Sequence, residues 1–204
     1  MATSETTICN QALGRIGAKR INNLTDGSEE AIHCTLHYEQ TRDALLRSFW
    51  WRFAAGRATL SQDATDPDFE WDNQFDLPTD FMAFRTVFED NNVPSKTTMR
   101  RYELEGLKLL TNEDEMEIRY VKKITDPAKF DPLFVELLVL QLALKLVMPL
   151  SEDKTLRREI RDDIVIATRK VRALDRQETN TRGRLGETTW VDVRTGSGRI
   201  PSRL

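Results

Sequence analysis

Apolar residues near the start of the chain recur every three to four positions, a spacing typical of an amphipathic helix. Gly17 follows the pattern and supplies a stop, and either Thr3 or Ser4 can serve as the N-cap. We therefore predict a short first helix that ends near residue 16, with an apolar face formed by Ile8, Ala12 and Ile16.

A longer second helix is predicted over residues 29–55. Before it, Asp26 and Glu29 have the spacing of a capping box, and Ser28 is an alternative N-cap. The run SFWWRFAAG at its end is rich in aromatic residues, so at least one of the two tryptophans should pack against another segment. The stripe expected to face the core is Ala31, Cys34, Tyr38, Leu45, Phe49 and Phe53, widened by Leu46 and Trp50.

The pattern changes after about residue 60. DATDPDFEWDNQFDLPTDF is rich in Asp and Pro, which is typical of a loop. FMAFRTVFED and MEIRYVKKI alternate apolar with polar residues and contain the β-branched and aromatic side chains that strands prefer. Residues 63–127 are therefore predicted to form a small antiparallel β insertion of three to five short strands.

The segment FDPLFVELLVLQLALKLVMPL, residues 130–150, is almost long enough and apolar enough to span a membrane. On a helix, Glu136 points away from Gln141 and Lys145, so charge would face lipid on two sides. Each charge at the bilayer centre costs about 2.5–3.5 kcal/mol. We interpret the segment as a helix buried inside a protein assembly, with no membrane segment, and expect Pro149 to stop it.

A last helix is predicted from Ser151, as its N-cap, to about residue 178. Its apolar residues form a narrow seam typical of coiled coils: Leu156, Ile160, Ile164, Ala167, Val171 and Leu174. Residues 179–204 have no helical period and are too poor in apolar side chains to fold alone, which predicts an extended arm.

Together these patterns predict an α+β, mainly α fold. Residues 1–62 and 128–178 would form an antiparallel helical bundle domain, residues 63–127 the β-rich insertion, and residues 179–204 an extended C-terminal docking arm.

Composition narrows the function classes. A chain of 204 residues that is 39% hydrophobic and 31% charged fits a soluble protein, and its net charge of −3 argues against nucleic-acid binding through the whole surface. Cys9 and Cys34 have neither a metal-ligand spacing nor a disulfide framework, so we expect reduced core residues. The first residues lack the basic start and apolar run of a signal peptide, which predicts synthesis in the cytoplasm.

Candidate chemistry is sparse. His33 and His37 lie one helical turn apart, a spacing that can hold zinc, but the chain has only 2 histidines and no HExxH motif. No glycine-rich phosphate loop is present, and the acidic run DATDPDFEWDNQFD is explained as well by a solvated loop as by paired carboxylates. We therefore expect no catalytic residues, no cofactor and no metal, and hence no enzyme.

The arm is the best candidate for binding. Its arginines alternate with apolar residues, so it can engage nucleic-acid phosphate or an acidic protein groove, and its TWVDV segment can extend a neighbour's sheet. A plain disordered terminus is the other interpretation. The residues expected to dock are Arg182, Arg184, Leu185, Trp190, Val193, Arg194, Arg199, Ile200 and Leu204.

Two blocks of sequence between residues 8 and 150 carry a family pattern. The first contains N-x-AL-x-x-IG, I-x-x-L-x-D-x-S-E-E-A, Y-x-x-x-R-D-x-LL and W-x-FA; the second contains FDLPTDFMAF and then IRYVKKITDPAKFDPLFVELLVLQLALKLVMPL. In this order they resemble the head–tail connector proteins of tailed bacteriophages, the adaptor family that includes podovirus tail tubular protein A. The first block consists of Asn10, Ala12, Leu13, Ile16, Gly17, Ile21, Leu24, Asp26, Ser28, Glu29, Glu30, Ala31, Tyr38, Arg42, Asp43, Leu45, Leu46, Trp51, Phe53 and Ala54.

The resemblance implies a structural role without catalysis. Members form a ring, commonly of twelve copies, beneath the portal, where it extends the DNA channel and attaches the tail. Implied partners are the portal protein, a tail nozzle or other tail component, further copies of this chain, and DNA that passes without sequence-specific binding. The implied location is the virion, at the head–tail interface, after synthesis in the host cytoplasm. The alternative is a nucleic-acid-binding, packaging-associated factor that uses the basic arm.

In a ring, a helix that is apolar on every side can pack within its own bundle and against a neighbouring subunit. The residues expected to form such packing are Tyr38, Leu45, Phe49, Trp50, Trp51, Phe53, Phe134, Leu138, Leu142, Ile160, Ile164 and Val171.

Overall fold

The computed structural model describes residues 4–88 and 102–179, and two compact units, residues 1–164 and 165–204, divide the chain. The described part has an α+β fold that is mainly α, which confirms the predicted class. Its helices are α1 Glu5–Arg15, α2 Glu29–Ser48, α3 Pro132–Ser151 and α4 Lys154–Thr179. Its strands are β1 Ala55–Thr59, β2 Asn73–Asp76, β3 Phe81–Phe88, β4 Tyr102–Glu105, β5 Lys108–Thr111 and β6 Glu117–Lys122.

The first two helices begin at side-chain caps. Ser4 accepts a hydrogen bond from the backbone N–H of Thr7, and Ser28 accepts one from Ala31, so Ser28 rather than Asp26 caps α2. Gly17 has a φ of 71°, a left-handed conformation that costs glycine little and ends the first helical segment. The first predicted helix is thus confirmed at both ends.

The second helix is shorter than predicted, because α2 ends at Ser48 and not at residue 55. Phe49 is extended, a single 3₁₀ turn follows at Arg52–Ala54, and residues 55–59 pair with β6. Periodicity could not reveal this end, since the pairing partner lies some sixty residues further along the chain. Strand β1 therefore precedes the predicted start of the β insertion at residue 63.

Pro149 does not stop α3, which continues to Ser151. The proline lies in the last turn, where its missing N–H removes only one intrahelical hydrogen bond. The helix ends instead at Glu152, whose φ of 54° is left-handed and whose N–H donates to the carbonyl of Val147.

Ser151 does not cap the last helix, contrary to the prediction. Its hydroxyl donates to the carbonyl of Ile16 at 2.8 Å. The carboxylate of Asp153 takes the capping role, accepting from the N–H groups of Thr155 at 2.8 Å and Leu156 at 3.0 Å.

Two antiparallel three-stranded sheets form the β part, with strand orders β1-β6-β3 and β2-β5-β4. Five of these strands lie within the predicted insertion, as the alternating patterns indicated. A buried apolar cluster joins the sheets; it comprises Leu60, Phe75, Leu77, Leu109, Met116, Ile118 and Tyr120.

Helix α3 is the centre of the helical part of the first unit, because both α1 and α2 pack against it. Among the described residues it is the one helix whose length and composition, with a mean hydropathy of 2.1, would suffice to cross a membrane, and 50% of that stretch is buried within the protein. Its fully buried face includes Phe134, Leu137, Leu138, Leu142, Ala143, Leu146 and Val147.

Candidate assembly surfaces

The amide of Asn10 holds the chain where it leaves α1. Its Nδ2 donates to the carbonyl of Ile21 at 2.9 Å, and its Oδ1 accepts from the N–H of the same residue at 2.8 Å. Asp26 then closes the following turn by accepting from the N–H groups of Asn22 and Asn23. The connection between the first two helices is therefore held by hydrogen bonds between polar side chains and the backbone.

Arg42 is the most unexpected core residue, only 1% exposed although it is charged. Its Nε donates to Asp43 Oδ1 at 2.8 Å, and its guanidinium lies 5.9 Å from the centre of the Tyr38 ring. Asp43 Oδ2 also forms a salt bridge, at 3.1 Å, with Nζ of Lys123, the residue that follows β6. This network joins the second helix to the β part, and a buried guanidinium requires such partners.

Electrostatics at this network follow from the two cations. Burial alone raises the pKa of Asp43, but hydrogen bonds from Arg42 and Lys123 outweigh it, and the pKa lies below the usual value. Burial also raises the pKa of the Tyr38 hydroxyl. The sequence signal for Arg42 was its place four residues after Tyr38, on the stripe that faces the core.

An aromatic cluster fills the junction after α2. Trp51 donates its indole N–H to the carbonyl of Leu45 at 2.9 Å and packs edge-on against Phe134 of α3 at 5.1 Å between ring centres. The rings of Phe53 and Phe130 also contact the Phe134 ring, with 5.2 and 4.8 Å between the ring centres. The expectation that a tryptophan packs against another segment is confirmed by Trp51.

The two histidines stack, with ring centres 6.4 Å apart. Burial, with smaller effects of Lys145 and His33, lowers the pKa of His37. Throughout residues 4–88 and 102–179, no group of three or more His, Cys, Asp or Glu side chains is arranged to hold a metal ion.

The acidic loop after β1 is tied to the second sheet by Lys108. The Lys108 ammonium contacts the carboxylate of Asp63 and reaches Asp76 Oδ1 at 2.6 Å, so it bridges two acidic residues. Its hydrogen bond lowers the pKa of Asp63. The loop and sheet enclose an open hollow of about 310 Å³ that includes Asp66, Asp68 and Glu70 among its lining residues. Asp63 and Asp76 thus act as ion-pair partners of a lysine rather than as a pair of free carboxylates.

A broader groove, about 820 Å³ in volume, lies between α1 and α3. Arg15 lines it and pairs with Asp163 at 3.2 Å, and Val135 and Val139 form its apolar floor on α3.

Large apolar side chains are exposed on two helices and in the β part, where Phe69 and Leu107 are 79% and 66% exposed. On α2, Ile32 and Leu36 are each 58% exposed and stand one turn apart. On α4, Val165 and Ile166 are 48% and 64% exposed. Ile32 and Leu36 lie on the same side of α2, where they are accessible to another molecule.

The predicted site residues fall into three groups. All of the arm residues, Arg182 to Leu204, lie outside the described residues. Within the described part, Tyr38, Leu45, Trp51, Phe134, Leu138, Leu142, Ile160 and Val171 are buried, whereas Phe49, Trp50, Phe53 and Ile164 are half-buried. Contacts of these residues with a neighbouring subunit stay a prediction.

No protein-family model matches this chain, and no curated protein does either.

Proposed function

We propose that the chain is a structural head–tail adaptor of a tailed bacteriophage, which forms a ring of about twelve copies beneath the portal and provides the tail attachment surface. One observation carries the proposal: the polar residues of the quoted motifs serve the scaffold. Asn10 and Asp26 bind backbone groups, Ser28 caps α2, and Arg42 pairs with Asp43 inside the protein.

This arrangement favours assembly over catalysis. In an enzyme, the polar residues of a characteristic motif commonly face the substrate, where their donors and acceptors stay available. Here the same residues hold the start of α2 and the turn between the first two helices. The apolar pair Ile32 and Leu36, by contrast, is free to be covered by another copy.

The finer architecture belongs to the same proposal. The helices form an antiparallel bundle, α3 lies in the protein interior and not in a membrane, and residues 179–204 act as an arm that docks on the portal. Residues 63–127 form the β insertion. A net charge of −3 suits a channel through which DNA slides without being bound.

The test is the mass of complexes, measured by light scattering behind a sizing column. Purified chain is expected to be monomeric or loosely associated alone and to add about twelve copies to a portal ring, because the portal orders the interface. A chain truncated after residue 178 should keep its melting temperature and lose portal binding. The untruncated chain should also stay in the supernatant after membranes are sedimented.

Two results would contradict the proposal. A portal that elutes unchanged would remove the adaptor role. If the chain instead bound duplex DNA with an affinity that fell steeply with salt, the packaging-associated alternative would take its place.

A further inference from the structure

Helix α2 carries an exposed stripe in which two acidic residues flank two apolar ones. Glu29, Ile32, Leu36 and Glu39 recur every three or four positions, so they lie on one side of the helix. All four are exposed, and the two apolar residues are 58% exposed each. This α2 stripe therefore presents an apolar centre with an acidic side chain at either end.

The groove between α1 and α3 has the complementary pattern of charge. Val135 and Val139 form its apolar floor. The charged residues that line it are Arg15, Arg20 and Glu136, so cations outnumber acids there. The α1–α3 groove thus offers an apolar floor beside positively charged side chains.

Gly14 leaves an opening in the α1 wall of this groove. It lines the groove, and nothing lies within 4 Å of a Cβ placed on it. Glycine within a helix is less favourable than alanine, because it loses more backbone freedom on folding. Packing within the chain does not require a glycine here, and its missing side chain leaves room for another molecule to enter the groove.

The stripe and the groove also agree in length. At 1.5 Å per residue, the wall formed from residues 7–14 and the floor formed from residues 132–139 are each about 10 Å long. On the same scale, Ile32 and Leu36 are about 6 Å apart along α2. The apolar pair therefore fits along the floor, with the two glutamates of the stripe near the ends of the groove.

We propose that the α2 stripe of one copy docks in the α1–α3 groove of the next copy, with Ile32 and Leu36 on the apolar floor. This contact rests on the proposed adaptor function and names the two surfaces that meet in its ring. The stripe and the groove have no residue in common, so each copy can use both at once. Such a head-to-tail contact closes into a ring when the rotation between neighbours allows it.

Charge favours another copy of this chain as the occupant. The glutamates of the stripe and the arginines of the groove have opposite charge, and such complementarity fixes the register of an interface. Arg15 is also paired with Asp163 at 3.2 Å, which makes the exposed Arg20 the main cation for an incoming glutamate. Each copy supplies both surfaces, so the contact is complete without a different protein.

The experiment cross-links neighbouring copies through one new thiol on each surface. Gly14→Cys places a thiol in the groove and Leu36→Cys places one on the stripe, whereas the native Cys9 and Cys34 are buried. The two variant proteins are mixed, on a portal ring and separately at high concentration without it, and treated with a short bismaleimide. We expect a dimer in which position 14 of one chain is linked to position 36 of another. A chain that carries both substitutions should give a ladder of linked oligomers.

Each variant alone is the control for the mixture. Because the proposed contact joins two different surfaces, either variant by itself should give several-fold less dimer than the two together. Dimers of Leu36→Cys alone that matched the mixture would mean that two stripes face each other, and would overturn the contact.

A second set of variants does not depend on the cross-link. Gly14→Trp fills the groove and should reduce the copies retained by a portal ring several-fold at an unchanged melting temperature, since its side chain enters open space. Gly14→Ala is the matched control and should retain them. Arg20→Glu should weaken retention more than Lys19→Glu does, because Lys19 is exposed beside the groove and does not line it.

The outcomes separate this contact from the adaptor function. A portal ring that fills with the double cysteine variant but shows no link between positions 14 and 36 would overturn the contact and leave the adaptor role standing. Links from position 14 to the portal or to a tail component would also overturn it, because another occupant would then fill the groove. The expected link in concentrated chain that does not bind portal would support the contact and contradict the adaptor role.

Discussion

One amide, that of Asn10, sets the path of the chain between the first two helices. It makes two part-buried hydrogen bonds to the backbone of Ile21, a residue whose side chain is in the core. Asn10→Ala should therefore lower the free energy of unfolding by about 1–3 kcal/mol, the cost of leaving partly buried backbone groups unpaired. Urea denaturation of both proteins measures this loss of stability.

Gln11→Ala is the control, because Gln11 is the next residue of the same helix and is exposed. Its effect should stay within about 0.5 kcal/mol. Equal effects of the two substitutions would mean that the amide of Asn10 contributes nothing beyond helix propensity.

Asp43 gives the protein an acid-sensitive contact. Its pKa is lowered in the folded state, so its stabilisation is present above the unfolded value near 4 and is lost as pH falls through the folded pKa. Asp43→Asn should cost about 1–3 kcal/mol at neutral pH, since Arg42 loses its carboxylate. The difference in free energy of unfolding between Asp43→Asn and the unsubstituted chain should shrink toward pH 2.

Denaturant titrations at several pH values test this, with Asp162→Asn at an exposed position of α4 as the control. A difference for Asp43→Asn that stayed constant from neutral to acid pH would rule out the charge as its origin.

At the level of elements, the starts of α1 and α2 were predicted better than the end of α2, although the predicted cap of α4 at Ser151 was wrong. Ser4 and Ser28 act locally on N–H groups three residues away, so the signal is contained in the neighbouring sequence. The end of α2 depends on strand β6, which lies far along the chain, and local periodicity holds no trace of it. Pro149 is the opposite case. A proline predicts the end of a helix, but α3 continues past it because it lies in the last turn.

Strand β1 depends on the glycine at its second position. Gly56 is paired with Tyr120 of β6, and a Cβ placed on it would lie 2.6 Å from Cε of Lys122 and 2.8 Å from the Tyr120 ring. Gly56→Ala should displace that ring from the core between the sheets and cost about 1–3 kcal/mol in thermal or urea unfolding. Gly27→Ala is the matched control, because nothing lies within 4 Å of its added carbon. If both variants unfolded alike, close approach of the ring would not be the reason for the glycine.

For the molecule as a whole, sequence reasoning found the fold class and missed the contacts between distant positions. Arg42 was not foreseen as a buried residue, whereas Cys9 and Cys34 are buried free thiols, as expected. The burial of Arg42 depends on which elements become neighbours, and that is decided by packing of the complete apolar faces rather than by any one motif. The arm, for which the sequence offers composition without periodicity, lies outside the described residues.

The proposed ring assembly makes a demand that folding of one chain does not, namely that an exposed apolar surface be kept. Ile32 and Leu36 have no role in the core, so replacing both with serine should leave the melting temperature within about 2 °C. The same change should reduce the number of copies that a portal ring retains, because the apolar area covered between neighbours is lost.

Gln40→Ser, one turn further along α2 and also exposed, serves as the control for the double variant. Light scattering of portal complexes counts the copies retained by each protein. A double variant that still filled the portal ring would place the contact between copies elsewhere. The exposed residues Val165 and Ile166 on α4 would then be the next to substitute. Loss of copies together with an unchanged melting temperature would assign Ile32 and Leu36 to assembly, since a surface that serves only the ring can be altered without cost to the fold.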